Sequence, residues 1–179
     1  TINVVACAIV LLGSLIGTSS PLTITQMLWV NLIMDTFAAG ALASLPPNWS
    51  VMRDKPRKSG KNGDFIINRS MAISIFGIGL IFTIILLGLL LYMKSDGNLS
   101  ATELTWFFTY FVMLQVWNLF NAKAFMSGHS AFANLMHSQS FVWVALLIIA
   151  GQYIIVTFGG KMFNVVPLST HSWLMAFVL

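Results

Sequence analysis

Apolar residues gather along this chain in long unbroken stretches rather than in short alternating runs. Six are marked, at roughly 2–17, 23–45, 70–93, 105–122, 139–158 and 171–179. A helix of about 20 mainly apolar residues rises through the hydrocarbon thickness of a bilayer. In lipid every backbone polar group needs a partner inside the segment or a closed barrel, and the missing two-residue alternation favours helices. The pattern therefore predicts an all-α membrane protein, a one-domain bundle of about six transmembrane helices. The first stretch is already apolar at its opening residue, without a basic region ahead of it. The last, at 171–179, has about half the length a crossing needs. Both are expected to be incomplete spans, so the chain reads as a fragment of a larger membrane protein.

Composition agrees with that picture and removes some alternatives. Hydrophobic residues make up 58% and charged residues 8%, against roughly 45–50% and about 25% in an ordinary soluble domain. A soluble fold cannot hide that much apolar surface. The single cysteine, Cys7, has no partner for a disulfide and fits a small packing residue. The net charge of +4 does not signal nucleic acid, because the basic residues sit between apolar stretches and not on one face of a soluble domain. Six of the nine, Arg53, Lys55, Arg57, Lys58, Lys61 and Arg69, lie in the Pro-rich connection 46–69. The positive-inside rule makes that connection cytoplasmic. Counting crossings puts 122–138, with Lys123, on the same side and leaves Lys94 and Lys161 outside.

Asp35 is the acidic residue within the marked spans. A carboxylate near the bilayer centre costs at least about 2.5–3.5 kcal/mol on insertion scales, so it suggests a function. Asn31 stands four residues before it, on the same face of an α-helix. Asn3 offers another amide oxygen, and Gln115, Asn118 and Asn121 form a ladder of three-residue steps. For Asp35 alone a polar packing contact competes evenly with a ligand role; for the amides, hydrogen bonding between helices is the favoured reading. Oxygen donors of this kind suit a hard divalent cation, whereas His129, His137 and His171 are scattered without ligand spacing. Gly77, Gly79 and Gly88 are expected to allow close helix packing. Trp106, Trp117, Trp143 and Trp173 fit an interfacial belt and core packing. Asn98-Leu99-Ser100 matches a glycosylation sequon, a pattern too short to carry weight.

The run Gln26-Met-Leu-Trp-Val-Asn-Leu-Ile-Met-Asp-Thr-Phe-Ala38 resembles the sixth transmembrane helix of P-type calcium pumps, particularly the plasma-membrane type. Asn3-Val-Val-Ala6 resembles the fifth helix, Phe111-Val-Met-Leu-Gln-Val-Trp-Asn-Leu-Phe-Asn121 the eighth, and Pro167-Leu-Ser-Thr-His-Ser-Trp173 the entry to the tenth. The resemblance implies helices five to ten of such a pump. It implies calcium as the transported ion, with Asp35, Asn31 and Asn3 as metal ligands. Ala6 stands where reticulum-type pumps have a glutamate, Met34 where they have a threonine, and Gln115 where they have another glutamate. Those departures fall on one site and imply one calcium per cycle.

ATP and magnesium would belong to the parent protein. Asp54-Lys55 runs into Pro56, so no Asp-Lys-Thr-Gly phosphorylation motif is found, nor a Pro-Glu-Gly-Leu helix break. By itself this stretch is not expected to hydrolyse ATP or to bind calcium tightly. Its implied partners are the lipid bilayer and the remaining domains of the same pump, with the connection 46–69 facing the phosphorylation domain. The alternatives are a helical membrane scaffold or regulatory module without transport, a manganese pump of the same family, and, third, a passive channel.

Overall fold

The computed structural model describes residues 1–18, 20–45, 52–53, 69–95, 97, 99–127 and 139–178. Most of the connections 46–69 and 122–138, with His129, His137 and Asn98, lie outside the described residues. The longer elements are helices and no strand occurs among the described residues: α1 (Ile2–Leu15), α2 (Ile24–Leu28), a π-helical segment π1 (Trp29–Met34), α3 (Asp35–Ala43), α4 (Arg69–Ser95), α5 (Ala101–Ser127), α6 (Gln139–Phe158), α7 (Gly160–Phe163) and α8 (Thr170–Val178). Each apolar stretch seen in the sequence has become helix. The second is not uniform, however, since α2, π1 and α3 run on from one another with a π turn in the middle.

Helix starts follow local chemistry. At α2 the Thr23 hydroxyl accepts from the Gln26 backbone N–H at 3.3 Å while the Gln26 side chain accepts from the Thr23 N–H at 3.0 Å. Ser100 and Glu103 form the same reciprocal box at the start of α5, at 2.7 and 3.2 Å. That box begins α5 four residues before the apolar stretch at 105–122 opens.

Buried positions lie on stripes at helical spacing. On α4 they are Gly79, Phe82, Thr83, Leu86, Leu90 and Met93; on α6 they are Phe141, Ala145, Ile148, Gln152, Ile155 and Val156. The opposite faces are also apolar but exposed, with Ile73, Phe76, Leu80, Ile81 and Ile84 on α4 and Trp143, Leu146 and Ile154 on α6. α4 and α6 are each long and apolar enough to cross a membrane, and only 28% and 33% of their most apolar windows are buried. Exposed apolar faces of this extent mark contact surfaces rather than water-facing ones.

α5 is the hub. It touches α3, α4, α6 and α8, and Phe107, Phe108, Phe111 and Val112 are wholly buried. Because protein surrounds it, α5 can carry Thr105, Thr109 and Gln115 deep in the bundle. α1 packs along α4 and α3 along α6. Gly79 is buried where α4 meets Thr1 and Val5, but a Cβ there would stand 3.7 and 3.8 Å from them, an ordinary contact rather than the close approach expected. At Gly77 and Gly88 a Cβ would meet nothing within 4 Å, so close helix packing is not their purpose either. Cys7 is exposed on α1 rather than packed.

Outer connections are tied by specific bonds. The Gln26 amide donates to the Phe163 carbonyl at 3.0 Å, and the Thr105 hydroxyl accepts from the Val166 N–H at 3.0 Å. The Trp106 indole donates to the Ser172 carbonyl at 3.1 Å, and Lys94 donates to the Ile16 carbonyl beyond the end of α1. Trp117 and Trp143 are exposed, whereas Trp173 packs on Tyr153. His171 is exposed at the start of α8.

Candidate cation site

Asp35 stands where π1 passes into α3. Its backbone N–H donates to the Val30 carbonyl, five residues back, in place of the Asn31 carbonyl an α-helix would use. Within the same stretch the Thr36 hydroxyl donates to the Leu32 carbonyl. A π turn is wider than an α turn, so the backbone here carries one more residue per turn than the flanking helix. Asn31 is exposed, whereas Asp35 is half-buried and lines a cavity of 320 Å³ with Ile2, Met34, Ala38, Gln115 and Asn118 among its neighbours.

Asn3, exposed on α1, has its side chain near the Asp35 carboxylate. Of the three residues singled out as ligands, Asp35 lines the cavity, whereas Asn3 and Asn31 are both exposed and do not line it. The amide ladder on α5 is divided likewise. Gln115 and Asn118 face the cavity, while Asn121 is exposed. Gln115 is wholly buried, and neither its Nε2 nor its Oε1 has a hydrogen-bond partner. Burying an amide unpaired costs about 1–3 kcal/mol for each group left unsatisfied. An oxygen of that kind beside a carboxylate is suited to a polar guest.

No cluster of three His, Cys, Asp or Glu occurs among the described residues. The cavity therefore offers one carboxylate and neutral amide oxygens, a donor set for a hard cation rather than a soft metal. Ala6 and Met34 occupy buried positions, 0% and 1% exposed, and contribute no oxygen. Sequence reasoning underweighted Gln115 and Asn118 because amide spacing alone does not distinguish a cavity-facing amide from one that bonds a neighbouring helix.

Comparison with known proteins places the chain. A family model described as cation transporting ATPase, C-terminus, matches residues 19–179. Plasma membrane calcium-transporting ATPase 3 of Homo sapiens is 37% identical over 185 residues, covering 97% of this chain and 15% of that protein. Calcium-transporting ATPase 4, plasma membrane-type, of Arabidopsis thaliana is 37% identical over 185 residues, covering 100% of the chain and 18% of that protein. Plasma membrane calcium-transporting ATPase 1 of Gallus gallus is 35% identical over 190 residues, covering 100% and 16%. The chain thus spans less than a fifth of the length of these relatives. With its whole length aligned and the family model matching nearly all of it, the chain belongs to the cation-transporting ATPase C-terminal family, on the side of the plasma-membrane calcium pumps.

Proposed function

We propose that this chain is the membrane part of an ATP-driven calcium pump and supplies its intramembrane cation site, with Asp35 as the charged ligand. The observation that carries this reading is a half-buried carboxylate that shares a cavity with the unpartnered amide of Gln115. Asn31 belongs to the ligand set by resemblance; its exposed position calls for a further helix, outside this chain, to cover that face and to complete the six to eight oxygens calcium takes. Six crossings, with 46–69 and 122–138 cytoplasmic, follow from the apolar stretches and the basic connection. ATP hydrolysis and its magnesium are assigned to the pump's other domains, which would drive the helices to open the site to alternate sides.

One calcium per cycle is the stoichiometry this reading favours, since buried Ala6 and Met34 remove oxygens from any second site. In the intact pump, Asp35→Asn is expected to abolish calcium-dependent phosphoenzyme formation and calcium uptake into vesicles. Unchanged uptake rejects the assignment. Isotope counting should find about one calcium occluded per phosphoenzyme, and a ratio of two would reject the single site.

A further inference from the structure

Trp29 begins π1, and Asp35 directly follows its end. The indole of Trp29 presses its outer edge against α6 at Gly151, so closely that a Cβ there would stand 2.7 Å from Cη2 and 3.0 Å from Cζ2. No hydrogen bond holds the ring: Trp29 Nε1 is buried without a partner. Gln152, next along α6, spends its amide on Thr109 at 3.5 Å and leaves its own Oε1 unpaired. Shape alone therefore seats the indole, in a notch that exists because residue 151 has no side chain. α3, at the far end of π1, packs on the same helix. The π segment is thus held against α6 at both ends.

We propose that Gly151 is a positioning residue for the Asp35 site: its notch seats Trp29, which holds π1 in its wide-turn register and so aims Asp35 into the cavity. The proposal rests on the cation-site reading above. Filling the notch pushes on a rigid bicyclic ring at the first residue of π1. The segment then yields along its axis, and a return to α-helical winding would carry Asp35 around that axis, away from Gln115 and Asn118. Overpacking of this kind displaces neighbours rather than compressing them.

The test uses the intact pump in membrane vesicles, with calcium as the probe and the calcium concentration for half-maximal phosphoenzyme formation as the readout. Gly151→Ala is expected to raise that concentration about tenfold, within the range that an ångström-scale displacement of a positioned group can cost. Phosphoenzyme formed from inorganic phosphate without calcium should stay at its normal level, which reports an intact fold. Adding Trp29→Phe to Gly151→Ala removes the ring atoms that collide and should bring the concentration back to within about threefold of the original. An unchanged half-activation in Gly151→Ala with normal phosphate-derived phosphoenzyme means the indole merely turns aside, and overturns the proposal. Failure of Trp29→Phe to rescue overturns it too. Should Gly151→Ala not fold, Trp29→Phe alone decides: it empties the notch and must weaken calcium activation, and no change overturns the positioning role. Asp35→Asn run alongside separates the two ideas. Loss of activation there with none at Gly151 removes only the positioning role, and no loss at Asp35 removes both.

Discussion

Thr105 makes two bonds with one hydroxyl. It donates to the Ala101 carbonyl at 2.7 Å and accepts from the Val166 N–H at 3.0 Å, pinning the connection before α8 to the first turns of α5. Thr105→Val keeps the shape and leaves that N–H without its acceptor, so about 1–3 kcal/mol of stability should be lost. A lower thermal midpoint in detergent, with calcium affinity untouched, is the expected result; an unchanged midpoint means water replaces the hydroxyl. Two residues earlier, before the apolar stretch of α5 opens, the Ser100 backbone N–H and then its hydroxyl hold the Glu103 carboxyl below the usual carboxylate range. A depressed folded value means the contribution is complete above the unfolded value and fades as pH falls through the folded one. Glu103→Gln should therefore lower stability slightly at neutral pH, leave acid pH little changed, and so flatten the acid limb of a stability-against-pH curve. An acid limb identical to that of the parent would refute this. At this scale Asp35 is legible in the sequence because a charge inside an apolar stretch needs no partner to be noticed. The unpaired state of Gln115 is not legible, since any amide could have found a partner on the next helix.

Among elements, hydropathy and burial run in opposite directions. α4 is strongly apolar and mostly exposed, whereas α5 is more polar and nearly enclosed by its neighbours. In lipid no hydrophobic force draws helices together, so close packing and hydrogen bonds choose the central helix. That choice falls on α5, whose phenylalanines interlock and whose hydroxyls and amides find bonds or a cavity. Leu80 and Ile81, 62% and 56% exposed on α4, mark the face that the proposed membrane bundle would turn to lipid. Leu80→Lys should cost about 2.5–3.5 kcal/mol in a glycosylation-mapped insertion assay. Gly77→Ala, where a Cβ meets nothing, should be neutral or gain up to about 1 kcal/mol from helix propensity. Equal outcomes for the two variants would mean that this face is not against lipid. The π turn is the element-scale feature that periodicity missed. A hydrophobic pattern cannot register one extra residue in a turn when the residues on both sides are apolar.

Taken whole, the bundle is organised around one enclosed helix, with a cavity between α3 and α5 and apolar outer faces on α4 and α6. The proposed six crossings make a topological prediction. In a Cys7→Ser background of the intact pump, a cysteine at Lys61 should be labelled by an impermeant reagent from the cytoplasmic side, and one at Lys161 from the other. The same side for both would break the crossing count. The sequence alone determined the class of protein, the positions of the long helices and the one carboxylate that stands out, because span length, hydropathy and charge are properties of each segment in isolation. Tertiary structure decided which stripe of each apolar helix is buried, where the second stretch widens into a π turn, that Asn31 is exposed while Asp35 lines a cavity, and that Gln115 is left facing it. Those outcomes depend on which side chains a neighbouring helix presents, and no single segment contains that information.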